Sequence, residues 1–303
     1  MHLAVYVPLL CSLLFAAAGP RLALHHLAPR TGMWTLTLGA GLASAASTWS
    51  LALLAVTLLD DSTAVHTIHA PVNDLVAAVA LGLLAAALAR LTHSVLIHAR
   101  ARRRLRRCLP PTTAPVVVLA DPVPEAFAMP GAGGRIVVSR GMLTALTGPE
   151  RRVLFAHERA HLRQHHHRHS AVMSAAAALN PLLIPLHAAG THLYERCADE
   201  TAASEVGDRE LAASALARAA LATTALATAG VPEQPTGPLP HPPPLRYHHI
   251  GVAARVVALH HHPTPGRPSL AAALLALAGL AVIADIDATG DLLTLILRTI
   301  HIG

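Results

Sequence analysis

Long apolar runs alternate with shorter polar stretches along the chain, and the runs fall into two kinds. Four read as membrane helices: Leu3–Ala18, Trp34–Leu59, Leu75–Ile97 and Leu270–Ile286. The first has no basic flank before it and no small-x-small site after it, so it reads as a retained helix rather than a signal peptide. A fifth run, Ala171–Ala189, is interrupted by Asn180-Pro181 and by Pro185. Proline removes a backbone donor and clashes with the preceding turn, and each half alone is too short to span. A bent or re-entrant helical pair, lying on or dipping into the membrane, is expected there.

Between the third and fourth spans the pattern changes. Val116–Leu119 is a short β-branched strand, and Ala126–Met129 and Arg135–Ser139 form the arms of a hairpin around a glycine-rich turn. The GAGG of that turn lacks the GK[ST] ending of a phosphate loop and reads as a turn only. Met142–Leu146 is helical, and Pro149 and Glu150 open a helix through RRVLFAHERAHLRQ, proline being suited to a first turn. HLYERCADETAASE gives another helix, and an alanine-rich one runs from about Arg209 to Ala229. Val231–Pro244 is a proline-rich loop and Ile250–His260 a short amphipathic piece. After the last span, DLLTLILRTIHI reads as a stretch lying along the membrane surface.

Composition sharpens this division. Of the 303 residues 53% are hydrophobic and only 13% charged, which suits several membrane spans better than a soluble globule. All 23 basic residues are arginine and the net charge is +6. That excess does not point to direct nucleic-acid binding. Arg100, Arg102, Arg103, Arg104, Arg106 and Arg107 follow the third span directly, where basic residues set topology and meet anionic lipid. Arg21 and Arg30 occupy the first loop, and the DDSTAVHTIHAPVND loop has no arginine. The positive-inside rule then puts the N-terminus outside and the segment after the third span in the cytoplasm. Cys11, Cys108 and Cys197 make no spacing motif.

The chemistry concentrates in His157-Glu158-Arg159-Ala160-His161. Positions i and i+4 share a helix face, so both imidazoles can hold one metal ion with Glu158 beside it as general base. With 22 His and eight Glu in the chain, one HExxH arises by chance in roughly four per cent of shuffles, so the motif needs support. A catalytic zinc takes three protein ligands. The helical ExxxD of Glu195 and Asp199 is the best downstream source, Glu195 as ligand and Asp199 as acceptor of a ligand histidine's free N–H. Glu195 must then lie on the same side of the membrane as the histidines, so the Ala171–Ala189 run must return without crossing. His165, His166, His167 and His169 read as a solvated or loosely metal-binding tract.

The combination EAFAMPGAGGRIVVSRGMLTAL, PERRVLFAHERAHLRQHHHRH, LNPLL and YERCADETA resembles the bacterial membrane zinc metallopeptidases typified by the beta-lactam-sensing signal transducers (the antirepressor peptidases). It is more distantly similar to the CAAX-prenyl and heat-shock membrane proteases. The resemblance covers about Leu109 to Ser204 and does not extend to an extracellular sensor domain. It implies a mainly α fold: multi-span membrane helices plus a cytoplasmic zincin-like α+β protease domain with a helical HExxH and a small sheet. It implies Zn2+ held by His157, His161 and Glu195, Glu158 as catalytic base, and Ala126, Phe127 and Ala128 as a strand edge pairing with an extended substrate. The expected layout is 1–107 for three spans and the arginine cluster, 108–230 for the protease, 231–268 for linker and amphipathic helix, and 269–303 for the fourth span and an outer tail. The expected function is a multi-pass zinc metalloendopeptidase of the bacterial plasma membrane. Its substrate would be a cytoplasmic or juxtamembrane protein, a transcriptional repressor or the chain itself, in signal transduction. A non-catalytic membrane scaffold buffering metal through its His-rich tracts is the alternative.

Overall fold

The computed structural model describes residues 4–56, 74–109, 114–131, 133–228, 251–261 and 265–302. The acidic loop, Pro110, Pro111, the Val231–Pro244 loop and Ile250 lie outside the described residues. The fold is mainly helical. A single 3-10 turn (Ala4–Tyr6) leads into α1 (Val7–His26), followed by α2 (Pro29–Val56) and the long α3 (Asp74–Cys108). Then come β1 (Val116–Leu119), β2 (Ala126–Met129), β3 (Arg135–Ser139), α4 (Arg140–Ala145) and α5 (Gly148–Arg163). The rest is α6 (His166–Leu179), a 3-10 turn (Pro181–Leu183), α7 (Ile184–Val206), α8 (Arg209–Thr228), α9 (Val252–His260) and α10 (Pro268–Ile302).

Among the described residues, four helical segments are long and apolar enough to cross a membrane: Ala4–His26, Pro29–Val56, Asp74–Cys108 and Pro268–Thr294. They coincide with the four apolar runs. One expectation changes. The DLLTLILRTIHI stretch is not a separate surface helix but the continuation of α10, which runs unbroken to Ile302. No proline interrupts it after Pro268, so nothing in the backbone forces a turn.

The three strands form one sheet in the order β1-β3-β2, with β1 parallel and β2 antiparallel to β3. The hairpin has the expected arms, with Ala126 opposite Val138 and Met129 opposite Arg135. Val117, Phe127 and Val137 pack with Leu105 and Leu109 from the end of α3. The third apolar helix is thus anchored into the sheet by its last turn, while the arginines of that turn stay exposed.

The main core joins α1, α2, α6, α7 and α10 around Phe15, Met33, Leu36, Met173, Leu186, Leu193 and Leu274. Into it the broken run inserts as a bent pair. Asn180 ends α6, accepts from the Leu182 N–H (3.1 Å) and donates Nδ2 to Ser47 Oγ (3.1 Å). Arg90 Nε donates to the Ala178 carbonyl (3.0 Å), satisfying an oxygen that the helix end leaves open. Ser47 and Arg90 both sit well inside candidate spans, so the tip of the pair reaches between those helices instead of lying across their ends. Irregular backbone at such depth is tolerated when protein supplies the missing hydrogen bonds.

Close approach of α1 and α2 depends on Gly39, where a Cβ would run into the ring of Phe15, itself fully buried. At Gly190 a Cβ would meet only the terminal Cε of Met173, at 2.6 Å. A rigid buried ring cannot give way as a thioether end can. Gly39→Ala is therefore expected to destabilise by about 1–3 kcal/mol and Gly190→Ala by clearly less. Thermal melts of the two purified variants compare them, and equal losses would contradict the packing described.

Candidate metal centre

The site forms where α5 lies against α7. Helix α5 is opened by Pro149 and by Glu150, whose carboxylate accepts from the Thr147 N–H (2.8 Å) and hydroxyl (2.7 Å). Glu150 also accepts from Ser214 Oγ (3.2 Å) and pairs with Arg218 Nε (3.0 Å), which fixes the helix start to α8. Burial alone would raise the Glu150 carboxyl. The Thr147, Ser214 and Arg218 contacts outweigh it and hold the pKa below its ordinary value. One α5 face then carries His157 and His161, and α7 presents Glu195 and Asp199 opposite.

His157, His161 and Glu195 each bring a ligand atom within 4.8 Å of the others. The two Nε2 atoms are 3.0 Å apart, His157 Nε2 is 3.5 Å from Glu195 Oε2, and His161 Nε2 is 3.5 Å from Glu195 Oε1. Ligands about 2.0–2.1 Å from a tetrahedral zinc are separated by roughly 3.3 Å, so these spacings suit such an ion. Two facing imidazole nitrogens at this distance need a hydrogen or a metal ion between them. Burial alone would lower the His157 pKa, but the hydrogen bonds and charges of Asp199 and Glu195 raise it to about 10.

Asp199 stands where a histidine-orienting carboxylate belongs, its Oδ1 3.1 Å from His157 Nδ1. Its partner on the other side comes from the short amphipathic helix, at a residue that the sequence pattern did not single out. Arg255 of α9, 1% exposed, donates Nε to Asp199 Oδ2 and Nη2 to Asp199 Oδ1, both at 2.7 Å, and places Nη1 3.1 Å from Glu195 Oε2. Burial alone would raise Asp199, yet Arg255 and then His157 hold it below its ordinary value. Only one signal for Arg255 exists in the sequence: it is the single charge in the otherwise apolar AARVVAL.

Helix α9 is held at both ends. Gly251, at its start, has φ 69°, and a Cβ there would come 2.8 Å from His192 Nδ1, so a side chain is excluded by strain and by space. At its other end Arg209 Nε donates to the Leu259 carbonyl (2.9 Å) and Nη2 to the His261 carbonyl (2.7 Å), while Nη1 binds Glu200 Oε2 (2.7 Å).

Glu158 is buried beside His157, and its charge is felt by Arg255. Glu158, Glu195 and Asp199 are thus three buried carboxylates facing one buried guanidinium. With His157 and His161 neutral, as metal ligation requires, an excess of two negative charges remains for a divalent cation to neutralise, and uncompensated buried charge is costly. The donor set and the charge both fit a metal ion such as zinc.

The histidine tract departs from expectation. His165, in the left-handed conformation at φ 53°, is exposed, but His166 and His169 are buried rather than solvated. His169 packs edge-on to Trp34 and hydrogen-bonds Thr37 (3.1 Å), and His166 lies against His161 and Tyr194. The turn after α5 sends these side chains back into the structure. Burial pushes His166 down to about 3.

Strand β2 has one edge on β3 and packs near α5; its other edge carries no strand among the described residues. Ala126, Phe127 and Ala128 therefore lie on a free sheet edge next to the helix that carries His157 and His161.

Residues 85–226 match the model of Peptidase family M48. The match runs from the middle of α3 to the end of α8 and includes both helices of the site, and it supports a metallopeptidase. Arg255 lies outside the stretch matched to Peptidase family M48, although its side chain completes the site. No curated protein and no solved structure matches the chain.

Replacing Arg255 by Leu leaves the buried Asp199 and Glu195 without their cation. The expected cost is about 3–5 kcal/mol, read as a lowered thermal midpoint. Arg255→Lys should recover little, because an ammonium cannot span both Asp199 oxygens. A midpoint unchanged in Arg255→Leu would refute the clamp.

Proposed function

We propose that the chain is an integral-membrane zinc metalloendopeptidase acting on a cytoplasmic or juxtamembrane protein. The observation that carries this reading is the convergence of His157, His161 and Glu195 beside Glu158, within the stretch matched to a peptidase family. Bound there, zinc would supply Lewis-acid chemistry, polarising a carbonyl and making a water more acidic.

The protein's own groups do the rest. His157, His161 and Glu195 hold the ion, and Asp199 fixes His157 by accepting its Nδ1–H. Arg255 keeps Asp199 ionised and holds Asp199 and Glu195 in place. Glu158 takes a proton from water at its carboxylate and hands it to the departing amine. The free edge of β2, at Ala126, Phe127 and Ala128, pairs with an extended peptide backbone, which aligns the scissile bond with the site without demanding a particular sequence.

The arginines at the end of α3 support a cytoplasmic protease region against an anionic bilayer, with the N-terminus outside and the plasma membrane as location. Together with the resemblance of Leu109–Ser204 to the antirepressor peptidases, this orientation supports a role in signal transduction, with a transcriptional repressor or the chain itself as substrate. The protease unit is 108–230, tied to the site helix of 231–268 through Arg255. A metal-buffering scaffold fits less well, since His166 and His169 are buried in packed surroundings.

Glu158→Gln should keep the metal and lower cleavage by about a hundredfold or more. Proteomes of cells carrying the wild type and this variant would show uncleaved substrate only in the variant. Cleavage retained by Glu158→Gln would overturn the assignment.

A further inference from the structure

Beneath His161 runs a chain of hydrogen bonds whose protons can be assigned from its far end. Thr201 Oγ1 donates its only proton to the Cys197 carbonyl (2.7 Å). The Gln164 atom that faces the Thr201 hydroxyl at 2.8 Å must therefore be the donating Nε2. That orientation turns Gln164 Oε1 toward His166 Nε2, at 3.3 Å, and an amide oxygen can only accept. His166 thus carries its proton on Nε2. With its one proton on Nε2, the imidazole offers a bare Nδ1 to His161 Nδ1, 2.9 Å away. The contact is a hydrogen bond only if His161 carries its proton on Nδ1. His161 Nε2 is then the unprotonated atom, and it is the one that points at His157 Nε2 and Glu195.

We infer that His166 is a positioning residue: the Thr201–Gln164–His166 relay fixes His161 in the tautomer that presents Nε2 as a metal ligand. Asp199 does the same for His157 from the other side by accepting its Nδ1–H. The two ligand histidines are thereby set by different devices, one a carboxylate on the opposite helix and the other a histidine from the turn after its own helix. A second imidazole accepts more weakly than a carboxylate but adds no charge to a site already rich in carboxylates. Tyr194 lies tilted against His166, with ring centroids 5.7 Å and planes 33° apart. The inference rests on the metal-site reading proposed above.

The test is zinc affinity of the purified full chain in detergent, by competition with a chromophoric chelator, with a thermal melt to confirm folding. His166→Leu removes the acceptor and should weaken zinc binding by about 10–100-fold. His166→Asn places Oδ1 where Nδ1 stood and should stay within about threefold of wild type. Gln164→Leu breaks the relay one link out, at a half-buried position, and should weaken binding by about tenfold; it carries the test if His166→Leu does not fold. Leucine variants that bind zinc as tightly as wild type, or an asparagine variant as weak as the leucine one, would overturn the positioning role alone. A wild type that holds no tight zinc would overturn the metal site and this inference together.

Discussion

The structure depends on bringing three carboxylates and two imidazoles into one buried space between α5 and α7 and keeping them there. Left alone, Glu158, Glu195 and Asp199 would repel one another strongly in a medium that screens poorly. Arg255 supplies one compensating charge, and the geometry of His157, His161 and Glu195 invites a second cation. Much of the surrounding architecture follows from this. Arg209 and Gly251 fix α9 so that Arg255 reaches Asp199, and Glu150 fixes the start of α5 to α8.

The apolar helices bear on the site through the bent pair. Glu195 can face His157 only because α6 ends at Asn180 and α7 brings the chain back. Asn180 is held by Ser47 of α2, and the end of α6 by Arg90 of α3. The ligand helix α7 is therefore positioned by contacts made among the candidate spans. Helix α3 joins the same region to the sheet, where Leu105 and Leu109 pack against Phe127 and Val137 of the hairpin.

How much of this was legible in the chain divides along sequence distance. The hairpin arms, the HERAH helix and the break at Asn180 are local patterns, set by alternation, by i/i+4 spacing and by proline, and they appear where the pattern puts them. Glu195 was legible because ExxxD on a helix carries its own spacing. Arg255 was not: it meets Asp199 across 56 residues, and one arginine in an apolar helix says nothing of where that helix docks. His166 was hidden for a different reason. In a chain with 22 histidines a run of them looks like composition, and only the turn after α5 decides which are buried. The fate of DLLTLILRTIHI was equally illegible, since a continuing helix and a separate surface helix share the same periodicity.

The most direct measurement is the metal content of the purified full-length chain, with binding strength and coordination read by X-ray absorption. One tightly held zinc ion per chain, with nitrogen and oxygen ligands and lost in His161→Ala, is the predicted result. No tightly held ion, or several weak ones indifferent to that substitution, would contradict the site built here from His157, His161 and Glu195.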